Sequence, residues 1–416
     1  LLISIIGLAR FTDMPDLQQL ISERIQRDGP ITFAEYMHMA LYEPGYGYYM
    51  TGAAKMGWEA DYFTSTDVSS LFANCMGRQL FGMWVKLKRP GHFIVLEQGA
   101  GRGHLAEGVR SWAQKEVPEF YEVLEYRTED IRGGADAIEE HPPAQGQPFR
   151  GRGQAPPLLY TNEMHISQDN IEEAKPEYSR GNPRGRPVSP YVVLSNELVD
   201  AFPVHVVEKR GARLYEVFVD VQQEGRFYEV LDEPSRPEVS GYLDTYKIPW
   251  HTFEDGCRAE INLDALQWIQ RTAGLMRKGF VLTIDYGDKA KALYTAWRKR
   301  GTLLCYYKHQ ANERPLLYTG KQDITAHVNF SALIDEGRRL GMRLHRFTTQ
   351  RDWLQGLGIE EELEQRYLNE FADAEFARAT DRGQVALLKW RDVRQRVSVL
   401  TDPDGMGDFK VMILRR

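Results

Sequence analysis

The stretch Phe93-Ile94-Val95-Leu96-Glu97-Gln98-Gly99-Ala100-Gly101-Arg102-Gly103-His104 decides the fold. Phe93 to Leu96 is a short continuous apolar run, which suits a strand buried on both faces, and helical spacing of apolar residues runs from His104 to Lys115. The glycines between them let main chain approach a ligand where a β-carbon would collide with it. Their spacing excludes two nucleotide loops. A dinucleotide fingerprint needs its third glycine at position 104, where His stands. A phosphate-cradling P-loop fails at Gly52-Ala53-Ala54-Lys55-Met56-Gly57, because Trp58-Glu59 follows in place of Lys and Ser or Thr.

Three further apolar runs end in polar residues and predict parallel strands: Tyr121 to Glu125, Tyr191 to Ser195 and Phe280 to Asp285. Ligands in open α/β sheets bind outside the carboxyl ends of the strands, so these polar ends are the candidate site. Glu125 ends the strand after the glycine loop, at the distance of about 20 residues where an acid accepts hydrogen bonds from ribose hydroxyls; an exposed strand-end carboxylate is the plainer alternative. Asn196, Glu197 and Asp200 follow Ser195 on the same edge, and Asp285 and Tyr286 end another strand there.

Outside these runs, residues 16 to 40 read as two helices broken at Asp28-Gly29-Pro30. The turn Tyr42-Glu43-Pro44-Gly45-Tyr46-Gly47-Tyr48-Tyr49 is either a surface cluster, the plainer reading, or part of a ligand wall. Between Arg127 and Pro190 repeated Pro, Gly and Arg read as a low-complexity insertion. Alternation from 204 to 232 around Gly211 and Gly225 predicts an inserted hairpin lobe. The expected fold is α/β: a Rossmann-like sheet with helices on both faces, an N-terminal helical segment, the β-hairpin lobe and a C-terminal α+β segment. We divide the chain into 14–90, a helical and lid region; 91–290, the sheet domain with insertions at 127–190 and 204–258; and 291–416, a C-terminal segment completing the sheet and closing over the substrate.

A chain of 416 residues exceeds the usual limit of one growing core, and 42% hydrophobic with 27% charged residues is ordinary globular composition. A net charge of -7 gives no general attraction to nucleic acid. Cys75, Cys257 and Cys305 form neither a disulfide framework nor a metal knuckle, which points to a reducing compartment. The apolar opening Leu1 to Ala9 is far short of the roughly 20 residues of a spanning helix. Met14 begins a helix, so the first thirteen residues read as a mis-start or a trimmed end.

The form acidic-x-Gly-x-Gly-x-Gly, Glu97 to Gly103, resembles motif I of class I methyltransferases, where the loop passes beneath the amino-acid part of S-adenosyl-L-methionine. Longer blocks are similar to the MidA family of these enzymes: Ile31-Thr32-Phe33-Ala34-Glu35-Tyr36-Met37, the Tyr42 to Tyr49 turn, Asp61-Tyr62-Phe63-Thr64-Ser65, Ser195 to Val204, Ile284-Asp285-Tyr286-Gly287, Gly301 to Tyr306 and Asp323 to Phe330. The sequence departs from the family at Tyr126-Arg127-Thr128-Glu129-Asp130, where a Ser-Pro helix start is expected, so the adenine contacts stay unassigned.

The resemblance implies S-adenosyl-L-methionine as cofactor and an arginine of a partner protein as acceptor. That partner is a respiratory-complex subunit in the mitochondrial branch, whose members sit in the matrix; bacterial members are cytoplasmic. Cofactor contacts are then expected from Glu97, Gly99, Ala100, Gly101, Gly103, Glu125 and Thr64. A guanidinium stays protonated, and its nitrogens attack poorly until carboxylates localise the charge. Glu197 is the expected clamp, Asp200 the second acid and Asn196 a holder of the loop or of an acceptor nitrogen. Asp285, Tyr286, Asp323 and His327 are expected on the substrate side. The plainer reading makes Asn196 and Glu197 helix caps, with Asp200 facing solvent. A non-catalytic assembly protein, a nicotinamide oxidoreductase and a methyltransferase acting on a small molecule or another side chain are the rival functions.

Overall fold

The computed structural model describes residues 16–51, 70–130, 138–141, 189–373 and 380–416. The Asp61–Ser65 block with its expected cofactor contact Thr64, the first thirteen residues and most of the 127–190 insertion lie outside these residues.

Seven strands form the main sheet: β1 Phe93–Gln98, β2 Leu124–Glu129, β3 Ile138–His141, β4 Val192–Asn196, β5 Phe280–Asp285, β6 Arg343–Thr349 and β7 Lys410–Arg415. Their order is β3-β2-β1-β4-β5-β7-β6. β2, β1, β4 and β5 run parallel, whereas β7 is antiparallel to both β5 and β6, and β3 is antiparallel to β2. Every β5 residue is buried, as expected of a parallel strand covered on both faces.

One face packs under the helices Ser70–Lys86, His104–Glu116, Gln350–Gly356 and Asp381–Thr401, with Trp353 fully buried among them. The other face packs under Leu263–Leu275 and Phe330–Arg339. Both of those helices start at an Asn whose side chain accepts a backbone N–H, Asn262 from Ala265 and Asn329 from Ala332. The Rossmann-like α/β architecture is therefore the one read from the sequence.

The hairpin lobe is present and larger than its alternation indicated. His205–Arg210, Arg213–Val221 and Phe227–Asp232 pair antiparallel, turning at Gly211 and Gly225, both with positive φ. Arg258–Ile261 joins one side, and Ile31–Thr32 from the N-terminal segment pairs with Arg213–Val221. The helices Leu17–Asp28 and Phe33–Tyr42 pack against this sheet through Ile21, Tyr36 and Met37. A three-stranded arm, Leu304–Tyr307, Gln310–Asn312 and Asp323–Thr325, carries Asp323.

One strand starts later than the sequence indicated. Pro118–Tyr121 is a helical turn, and β2 runs Leu124–Glu129 instead of ending at Glu125. Register then fixes the rim: Gln98 lies beside Ser195 and Glu129, and Asn196 beside Ile284. Among the described residues, no helix is long and apolar enough to cross a membrane.

Candidate active site

The glycine loop occupies the carboxyl rim above β1. Gly99, Gly101 and Gly103 all have positive φ, at 72°, 61° and 77°. At Gly99 a β-carbon would stand 2.9 Å from Leu198 Cδ1, so its absence lets the loop after β4 pack against the glycine loop. Gly103 begins the helix His104–Glu116 with no side-chain cap, and a β-carbon there would meet nothing within 4 Å. An uncapped helix start beside open space is a surface that accepts a polar ligand.

Two acids at the end of β2 hold this loop. The Glu129 carbonyl accepts the Gly99 N–H at 2.8 Å, and Asp130 Oδ2 accepts the Gly101 N–H at 2.7 Å. Gln98 donates to Glu129 Oε2 and accepts from the Trp268 indole, both at 2.9 Å. Glu97 lies buried beneath the loop, where it accepts the Tyr126 hydroxyl at 3.0 Å. Burial pushes its pKa up to about 8, against the lowering effect of Tyr126, and the charge of Asp130 adds to the rise.

Glu125 is a correction. It pairs in register with Ile94, four residues below the rim, which is about 13 Å at strand rise. There it bonds His92 and Arg127, which hold its carboxyl below the usual range against the effect of its burial. It cannot reach a ligand at the glycine loop. Glu129 and Asp130 stand where Glu125 was expected.

The segment after β4 is held on all sides. Glu197 donates its backbone N–H to Ile284 at 2.9 Å, Asn262 holds the Val199 carbonyl at 3.2 Å, Ala326 the Asp200 carbonyl at 2.9 Å, and the Tyr42 hydroxyl the Ala201 carbonyl at 2.8 Å. The Asp285 carboxylate accepts the N–H groups of Leu198, Val199 and Asp200 on one oxygen, at 2.9–3.3 Å, and that of Tyr286 on the other. With four backbone N–H groups on its two oxygens, Asp285 shapes the segment, a positioning role beside the substrate-side one expected of it.

This clamping fixes Glu197 in the left-handed region, at φ 52°. Its carboxylate accepts Asn196 Nδ2 at 3.1 Å and lies 3.5 Å from the Tyr286 hydroxyl. Asp200 is 4% exposed, so the solvent-facing alternative fails, and a turn, not a helix, follows Glu197. Burial lifts the Asp200 carboxyl well above the usual range, and the charges of Asp285, Asp323 and Glu197 lift it further. Asp323 is also buried and accepts the Tyr49 hydroxyl at 2.7 Å. The tyrosine turn thus packs against this cluster of acids, with Tyr48 fully buried beside Tyr49.

Two oxygens in the pocket, Asp200 Oδ1 and Asn196 Oδ1, are buried without a hydrogen-bond partner. His327 lies at the outer side of the cluster: its residue is exposed, its backbone N–H donates to Thr302, and its ring stacks on Tyr286 with centroids 6.4 Å apart. Asn196, Glu197, Asp200 and Asp323, expected from the sequence, lie together at this rim. Sequence reasoning named Tyr49 only within the tyrosine turn and did not single out Asp130, although the acidic pair Glu129-Asp130 was a visible signal. Among the described residues, no group of three or more His, Cys, Asp or Glu is arranged to hold a metal ion.

A parallel sheet with an antiparallel β7, a glycine loop opening onto an uncapped helix, and acids on the adjoining rim define a class I methyltransferase site. The family described as "Putative S-adenosyl-L-methionine-dependent methyltransferase" matches residues 75–348, and the chain belongs to this family, the MidA methyltransferases. Its cofactor is S-adenosyl-L-methionine, and the glycine loop and uncapped helix fit it. The chain is 26% identical to the mitochondrial "Protein arginine methyltransferase NDUFAF7 homolog" of Drosophila melanogaster, over 76% of this chain and 68% of that protein. It is equally 26% identical to the mouse mitochondrial protein arginine methyltransferase NDUFAF7, over 81% and 73%. A crystal structure of a COG1565 superfamily member from Burkholderia thailandensis, bound to S-adenosyl-homocysteine, superposes with TM-score 0.71 at 26% identity, covering 96% of this chain and 92% of that one.

Proposed function

We propose that the protein transfers methyl groups to an arginine guanidinium of a partner protein. The observation that carries this reading is the pair of buried, unpartnered oxygens, on Asp200 and Asn196, in a pocket rich in carboxylates. Buried acceptors without donors are unfavourable, and a planar cation bearing five N–H groups satisfies them. The names of the fly and mouse relatives support the same acceptor.

In this reading Gly99, Ala100, Gly101 and Gly103 cradle the cofactor, and Glu129 or Asp130 takes the ribose role assigned earlier to Glu125. The bound cofactor supplies an electrophilic methyl on a sulfonium. Glu197 grips the guanidinium through charge-assisted hydrogen bonds, Asp200 supplies the second acid, and Asn196 holds an acceptor N–H. Asp285 keeps the segment in place from behind, and the contact between Gly99 and Leu198 keeps the acids close to the cofactor loop. Rate gain then comes mostly from holding nitrogen near the methyl.

The test is incubation of cell lysate with this protein and radiolabelled cofactor, followed by identification of the labelled residue. Label on arginine supports the proposal, and label confined to another side chain or a small molecule overturns it. Family resemblance makes a respiratory-complex subunit the first acceptor to try.

A further inference from the structure

Four carboxylates meet at the rim, and their compensation is unequal. Asp285 has four backbone N–H donors, Asp323 has the Tyr49 hydroxyl and the Ile324 N–H, and Glu197 has the Asn196 amide and the Tyr286 hydroxyl nearby. Asp200 Oδ1 has none, although it is the oxygen of a side chain 4% exposed. The groups facing Asp200 are Glu197 on its own segment, Asp285 and Tyr286 from the end of β5, and Asp323 and Tyr306 from the three-stranded arm. The charges that act on it most strongly are all negative. Carboxylates sharing a buried site cannot all ionise, and Asp200, with the Ala201 N–H as its donor and one oxygen unmet, keeps the proton.

We propose that Asp200 holds a proton in the acceptor-free enzyme, releases it to solvent when the cationic acceptor enters, and takes a proton from the acceptor nitrogen during transfer. This rests on the arginine reading. Entry of a guanidinium replaces one positive charge by another, so the pocket stays neutralised. The acceptor nitrogen then forms its new bond to the methyl carbon as the sulfur–carbon bond breaks, and the electron pair of that bond stays on sulfur. The proton lost by the nitrogen passes to the Asp200 carboxylate. One guanidinium, one sulfonium and one carboxylate become one methylguanidinium, one thioether and one carboxylic acid, with net charge unchanged. Asp200 ends protonated, the methylated cation faces a weaker counter-charge, and the product leaves.

The experiment is calorimetry of ethylguanidinium binding to the full chain saturated with S-adenosyl-homocysteine, repeated in buffers of different ionisation enthalpy. The expected result is release of about one proton per cation bound, with affinity rising about tenfold per pH unit while Asp200 still holds its proton. In Asp200→Asn the release disappears. Binding without release, or release retained in Asp200→Asn, overturns the proton assignment and leaves the arginine reading standing. No ethylguanidinium binding by protein that binds S-adenosyl-homocysteine overturns the arginine reading itself. If Asp200→Asn does not fold, the wild-type protein decides: affinity that stays flat between about pH 6 and 8 overturns the proposal.

Discussion

The Tyr49 hydroxyl donates to Asp323 Oδ1 at 2.7 Å, joining the N-terminal tyrosine turn to a carboxylate of the acid pocket. Tyr49→Phe removes the donor and keeps the ring, which stacks on Tyr42. Loss of a hydrogen bond to a charged group corresponds to about 1.5–3 kcal/mol. The expected outcome is unchanged affinity for S-adenosyl-homocysteine by calorimetry and radiolabel incorporation lowered about tenfold or more. Undiminished incorporation would separate Asp323 from the reaction.

Glu197 occupies a backbone conformation that suits glycine, at φ 52°. Glu197→Gly relieves about 1 kcal/mol of strain, so thermal unfolding should occur no lower than in the wild type while methyl transfer is lost. Glu197→Gln keeps the strain, and its turnover should fall by about 100-fold with cofactor affinity unchanged. A glycine variant that unfolds earlier would mean that the side chain supports the fold more than the reaction.

Asp200 binds its proton more tightly folded than unfolded, because its folded carboxyl is raised well above the ordinary value. Between the two values the native state holds more protons than the unfolded state, so this group's contribution to stability falls as pH rises. Asp200→Asn removes that loss. Its melting temperature relative to the wild type should therefore improve from pH 5 to pH 8, by roughly 2 °C or more, in differential scanning calorimetry. A difference that is constant or shrinks with pH contradicts a buried, charge-crowded Asp200.

Glu125 and Glu129 share a strand but lie at opposite ends of it. Glu129→Gln should weaken S-adenosyl-homocysteine binding about tenfold through its place beside the glycine loop. Glu125→Gln should leave that affinity unaltered and reduce stability by about 1–3 kcal/mol, because His92 and Arg127 lose their anion. Equal effects on affinity would mean that the strand register is not what separates them.

Much of the sheet could be read from its sequence because β1, β4 and β5 are buried on both faces and appear as unbroken apolar runs. β2 was displaced for a physical reason: Phe120 and Tyr121 belong to a helical turn that feeds the same core, so apolar character begins before the strand does. β6 is an edge strand of mixed character, Arg343-Leu344-His345-Arg346-Phe347-Thr348-Thr349, and carries little periodic signal. At the rim, residue type identified the acids but could not say where each oxygen would be spent. Asp285 looks like Asp200 in sequence, yet three successive N–H groups consume one of its oxygens while Asp200 keeps one unmet. That difference arises from a turn whose geometry depends on contacts far along the chain.

Among the described residues β6 pairs with one strand, β7, which is wedged between it and β5. A strand made earlier on the ribosome thus packs on the helix Phe330–Arg339 but has no strand to pair with until one made much later has emerged. Pairing of this strand waits until Lys410–Arg415 has been made, and the apolar strip on β5 that β7 covers stays open to wrong partners until then. Cells producing a version shortened ahead of Lys410 should accumulate it in chaperone complexes or aggregates, even with every rim residue intact.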